Sequence, residues 1–125
     1  WVYSKDYHQG VVGLVATKLA QRFNRPAFVG CVKGSEIVCS ARASSPEQNL
    51  VEMLEFSSEE LVKFGGHKQA AGFEVEVEKA ESFRKKLGQS FENQHDKSIS
   101  PVVSFYDAQV ELAQISAKFI EWYEN

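Results

Sequence analysis

The 125 residues carry 14 Lys and Arg against 17 Asp and Glu, a formal net charge of −3, with 43% of positions apolar. That is the size and composition of one domain around one core, with little room for a second. Bulk charge excludes the simplest way of holding nucleic acid: residues 1–95 have 12 basic and 12 acidic side chains, and residues 96–125 have 2 and 5, which leaves only a local anion site open.

No run approaches the ~20 apolar residues that cross a bilayer, and the first residues lack the basic, apolar and small-residue sections of a signal peptide. A cytoplasmic chain with no membrane partner is expected. Trp1 stands first and Met53 is the sole methionine, so the chain is also expected to be a piece of a longer one.

Residues 1–3 read as the end of a strand. From Gly10 to Asn24, Val11, Val12, Leu14, Val15, Leu19 and Phe23 recur at helical spacing, predicting a helix that buries them and turns Thr17, Lys18, Gln21 and Arg22 to water. Pro26 stops it. Two short apolar runs, 27–32 and 36–43, meet at Gly34-Ser35 and predict a hairpin. With a two-residue turn Cys31 faces position 38, so Cys39 lies on the opposite sheet face; two buried thiols are expected rather than a disulfide.

After the loop at Ser44-Ser45-Pro46, Leu50, Val51 and Leu54, then Leu61, Val62 and Phe64, suggest two short helices. Ser57 with Glu60 has capping-box spacing at the start of the second, and Gly65-Gly66 is expected to break it. Residues 73–77 alternate apolar with acidic, as an exposed strand does, and Phe83, Leu87 and Phe91 return to helical spacing over 78–91. A polar connector over 93–100, an extended segment over 102–112 and a helix over 115–123 complete the expectations.

The chemistry concentrates in Phe64-Gly65-Gly66-His67-Lys68-Gln69-Ala70-Ala71-Gly72-Phe73. Adjacent glycines expose backbone amides to a ligand, His67 adds a donor that can become cationic, and the small residues after it leave room; together they suit a phosphate. In Ser40-Ala41-Arg42-Ala43, an arginine ending a strand can offer its planar fork to two phosphate oxygens. His8, ahead of the first helix, is a third candidate, where free amides and the helix dipole favour an anion. Each taken alone is matched by a bland alternative: a tight turn, a solvated arginine, a helix cap. His8, His67 and His95 belong to no metal-ligand motif, and no P-loop, nucleophile elbow or Asp-His-His is present, so no metal and no catalytic residue is expected in this chain.

In order and spacing, His8-x-Gly10-Val11-Val12-Gly13-Leu14-Val15-Ala16, Arg25-Pro26, Ser40-Ala41-Arg42, Asn49-Leu50 and Gly65-Gly66-His67-x-x-Ala70-Ala71-Gly72-Phe73 resemble the DHH-associated domain of RecJ-like single-strand-specific DNA exonucleases, across roughly residues 1–95. The resemblance implies an α/β fold with a central mixed sheet flanked by helices, in which residues 96–125 lead onward. It implies a 5′-to-3′ exonuclease whose separate DHH domain holds two divalent cations, Mn2+ or Mg2+, while this domain closes over single-stranded DNA. Arg42, His67 and the amides of Gly65 and Gly66 would contact substrate phosphate, with Ser40 and His8 as weaker carry-overs. Two departures affect the hairpin end, because the family commonly has glycine at Cys39 and serine at Ala43. The competing readings are the substrate domain of an oligoribonuclease or cyclic-dinucleotide phosphodiesterase, and a non-catalytic interaction module of the same fold.

Overall fold

The structure is a computed structural model and describes residues 1–94 together with Ser116 and Lys118. Apart from those two positions, the segments expected over 102–112 and 115–123 lie outside the described residues. The elements are β1 (Val2–Ser4), α1 (Val12–Phe23), β2 (Ala27–Lys33), β3 (Glu36–Arg42), α2 (Leu50–Phe56), β4 (Leu61–His67), β5 (Ala70–Glu76) and α3 (Ala80–Gln94), with short 3-10 turns at Ser58–Glu60 and Val77–Lys79. Among the described residues the sheet has five strands in the order β1-β2-β3-β5-β4; only β1 and β2 run parallel. This is the mixed α/β architecture expected.

α1 connects the two parallel strands and ends where expected, on Asn24 in the left-handed conformation. Its buried face matches the expectation only in part: Val12 is buried, Leu19 packs against the same cluster, and Lys18, Gln21 and Arg22 face water as expected. Val12, Ala16 and Ala20 are buried, the first two against Val29 and Cys31, while Val11, Leu14, Val15 and Phe23 remain exposed, Leu14 at 70%. Both stripes have helical spacing; the sheet selects the one whose alanines let the backbone come close.

The β2–β3 hairpin turns at Gly34-Ser35, with Gly34 at φ 61, and pairs Cys31 with Val38. Cys31 joins the α1-side cluster and Cys39 the opposite one, so both are free and buried, as expected. Gly30, opposite Cys39, leaves room for a neighbour: a Cβ there would lie 2.5 Å from both Cys39 Sγ and Ile37 Cγ2.

The second half corrects three expectations. Leu61, Val62 and Phe64 belong to β4, not to a helix, and Gly65-Gly66 continues that strand instead of breaking a helix. Three apolar residues beside glycines do not decide between the two periods; pairing with β5 does. The strand over 73–77 is not exposed, since β5 lies between β3 and β4 and buries Phe73 and Val75. Ser57 makes no capping box: its hydroxyl donates to Met53 O at 3.2 Å, satisfying the end of α2.

α2 and α3 cover the sheet face opposite α1. Leu50, Met53, Leu54, Ala80, Phe83 and Leu87 pack on Phe28, Ile37, Cys39, Ala41, Ala71, Phe73 and Val75. Trp1 closes this core, edge-on to Phe83 at 4.5 Å between ring centroids. This face is packed over β2, β3 and β5, while Phe64 and Gly66 of β4 remain exposed. The other is covered by α1 only over β2 and part of β3.

Candidate functional site

Strand alternation and register determine which side chains point to the partly uncovered face. Three successive rungs cross it: Cys31, Val38, Glu74 and Lys63; then Val29, Ser40, Gly72 and Gly65; then Ala27, Arg42, Ala70 and His67. Arg42 and His67, remote in sequence, therefore share a rung and a face, separated by the one β5 residue between them. Two strand spacings set their backbones roughly 10 Å apart, and Ala70 between them carries only a methyl group.

A groove of about 440 Å3 lies along this face, with Gln9 and Val12 on the α1 side, Lys63 on the β4 side, and Ser40, Gly72 and Gly65 at its floor. Its Ser40, Gly72 and Gly65 floor is the rung next to that of Arg42 and His67. Gly65, Gly72 and His67 are exposed; Ser40 and Arg42 are half-buried. At the other end Lys63 and Glu74 neutralise each other at 2.9 Å.

Arg42 lies back against α1. Its Nη1 donates to Ala41 O at 2.7 Å, and its Nη2 occupies space beside Gly13, where a Cβ would come within 3.1 Å of it and 3.6 Å of Ser40 Oγ. Gly13 thus provides the slot for the guanidinium. The first turn of α1 carries no acidic residue and its N-terminus no side-chain cap, so nothing there competes with an incoming anion.

His67 is held by its hairpin. The turn at Lys68-Gln69 is tied to the segment after β3 by Ala43 N–H to Gln69 O at 3.0 Å, Leu50 N–H to Lys68 O at 2.9 Å and Gln69 Nε2 to Gln48 O at 3.0 Å. Gln48, only 3% exposed, accepts at Oε1 from Ser44 N–H at 2.7 Å. Gln48 and Gln69, which were not read as functional from sequence, fix the spacing between the Arg42 strand and the His67 strand. Their signal is weak: two glutamines in loop-like stretches, with nothing local to mark them as partners.

His8 is not brought to this rung. Its Nδ1 accepts from Gly10 N–H at 3.1 Å, and the adjacent Gln9 is hydrogen-bonded to Lys33, at the opposite end of β2 from Ala27 and Arg42. Gly66 faces the other way: at φ 141, a Cβ on it would lie 2.5 Å from Ala70 O. Among the described residues no three His, Cys, Asp or Glu side chains gather in a group that could hold a metal ion. No helix among them is long and apolar enough to cross a membrane.

A mixed five-stranded sheet with one helix on one face and two on the other defines an α/β domain. The chain belongs to the DHHA1 domain family, whose model matches residues 1–93. It is 36% identical over 93 residues to the single-stranded-DNA-specific exonuclease RecJ of Bacillus subtilis (strain 168), covering 74% of this chain and 12% of that protein. Against the RecJ of Salmonella typhimurium (strain LT2) it is 32% identical over 92 residues, 70% of this chain and 16% of the relative. Among solved structures, an exonuclease RecJ bound to manganese matches with a TM-score of 0.59 at 28% identity, over 71% of this chain and 22% of the other. The chain spans less than a fifth of the length of these two curated relatives.

Proposed function

We propose that this chain is the substrate-gripping domain of a RecJ-like single-strand-specific DNA exonuclease, with residues 1–95 as the gripping unit and the following residues leading onward in the parent protein. The supporting observation is the shared rung: a guanidinium and an imidazole stand on one sheet face, beside a groove whose floor exposes backbone. A phosphodiester passing over that rung receives the Arg42 fork from one side and a His67 N–H from the other. Phosphate contacts of this kind hold the strand without reading its sequence, as an exonuclease requires.

Hydrolysis in the parent is assigned to a separate DHH domain, where divalent cations would supply the activated water and the Lewis acid. This chain's residues bind and orient. Hydrogen bonding through Gln48 and Gln69 keeps the Arg42 and His67 strands at a fixed spacing, so the scissile bond reaches the other domain in a defined position. The processes such an enzyme serves are DNA repair and recombination, and its partners are single-stranded DNA and the DHH domain of its own chain.

The test is steady-state cleavage by the full-length parent with manganese, on long single-stranded DNA and on very short RNA, for wild type, Arg42→Ala and His67→Ala. Each substitution is expected to remove a charge-assisted contact worth ~1.5–3 kcal/mol, seen as a KM raised roughly 10- to 100-fold, with melting unchanged. Unchanged kinetics in both variants would remove these residues from the site. Preference for very short RNA would move the enzyme to the oligoribonuclease branch, and inactivity on both would leave an interaction module.

A further inference from the structure

A second cleft, of about 310 Å3, lies on the α2–α3 side of the sheet, away from the Arg42–His67 rung. Phe28, Met53 and Leu87 of the core form its apolar part, and both charged side chains that line it, Arg25 and Arg84, are cations. Arg25 lies over the Phe91 ring, 5.9 Å from its centroid. Arg84 is exposed and has Glu81 at 3.9 Å, a pair that water largely screens. Gly88 also lines the cleft, inside α3, where glycine is unfavourable. A Cβ on it would meet nothing within 4 Å, so the fold itself sets no need for glycine there. An apolar cleft with two cations and a helix surface kept bare has the features of a docking site for an acidic, aromatic-bearing segment.

We propose that this cleft docks residues 115–125 of the same chain, with Trp122 over its apolar part and Glu121 and Glu124 answering the two arginines. Charge supports the match: residues 96–125 carry 5 acidic side chains against 2 basic ones, and Glu121 and Glu124 stand within two positions of Trp122. In the helix expected over 115–123, Ile115, Phe119 and Trp122 fall on one stripe. Ser116 and Lys118, which lie off that stripe, are exposed, and Lys118 is helical. Reach is ample. The cleft is lined by α3 itself, which ends at Gln94, and residues 95–114 can extend up to roughly 70 Å. Docked there, the segment ties whatever follows in the parent to α3 and leaves the groove on the other sheet face open. The inference stands independently of the function proposed above.

The experiment is amide hydrogen exchange on the full-length parent protein, followed by mass spectrometry of peptides covering 115–125, α3 and the sheet. Wild type is compared with Trp122→Ala, Gly88→Trp, Arg84→Glu, and Arg84→Glu combined with Glu121→Lys and Glu124→Lys. Trp122→Ala removes the anchor and Gly88→Trp fills the cleft, so each is expected to speed exchange in 115–125 by about tenfold or more while the sheet peptides keep their protection. Arg84→Glu is expected to speed it too, and the two lysines to restore protection. Should Gly88→Trp loosen α3, Trp122→Ala still decides, because residue 122 lies outside the core described for residues 1–94. A segment that exchanges in wild type like an unstructured peptide would overturn the proposal. So would one that is protected but indifferent to every variant, since it would then pack elsewhere and leave the cleft to another part of the parent or to a separate partner.

Discussion

A methyl group at position 66 has nowhere to go. It would sit 2.5 Å from Ala70 O and 2.6 Å from Ala71 Cα, both backbone, on a residue whose φ of 141 already favours glycine. Gly66→Ala is therefore expected to destabilise the domain by about 2–4 kcal/mol, through strain and overpacking together. A thermal melt beside Gly65→Ala checks it, since the neighbouring substitution meets only open space and should leave Tm level or raise it. The two adjacent glycines look alike in the sequence and do different work: one lets the chain pass β5, the other leaves the groove floor bare. Cys39 is decided by burial in the same way, because desolvation pushes its thiol well above the ordinary range and keeps it protonated in the core.

At the level of elements, the 3-10 turn ahead of β4 is joined to α3 by a short polar tie. Ser82 Oγ donates to Glu60 Oε2 at 2.7 Å, and Lys86 Nζ reaches Glu59 at 2.8 Å and Glu60 at 3.1 Å. The Ser82 hydroxyl first, then Lys86, hold the Glu60 carboxyl below its usual range. A depressed carboxylate contributes stability that is fully present above its unfolded pKa and is lost as pH falls through its folded one. Melting from about pH 7 to about pH 3 should therefore show a smaller acid-induced drop in Tm for Ser82→Ala than for wild type. An equal drop would mean that the tie contributes nothing to acid stability. The helices α2 and α3 were legible because Leu50, Leu54, Phe83 and Leu87 keep helical spacing and are buried. β4 was not, because its residues match neither period cleanly and its partner in the sheet, β5, is interrupted by Gly72 at the position a side chain would mark.

For the molecule as a whole, a net charge of −3 means that affinity must come from placement rather than from a basic surface. Under the proposed function, removing the phosphate-facing guanidinium should have a countable effect. In Arg42→Ala the slope of log affinity against log salt for a single-stranded oligonucleotide is expected to fall by about 0.7, the value for one lost contact to a single strand. A titration of the parent protein over a range of salt concentrations checks it; an unchanged slope would mean that Arg42 neutralises no phosphate.

The hairpin turn, the end of α1 ahead of Pro26, the thiols on opposite faces, the later helices and the Gly65-Gly66-His67 cluster were all determined by the sequence itself. Each depends on residues a few positions apart, where turn chemistry and side-chain periodicity act locally. Only the tertiary structure decided which stripe of α1 is buried, that β4 is a strand, that β5 lies inside the sheet, and that Arg42 and His67 share a rung while His8 does not. Those outcomes rest on strand register and helix–sheet contact between distant segments, and local spacing carries no information about which remote partner a residue will face.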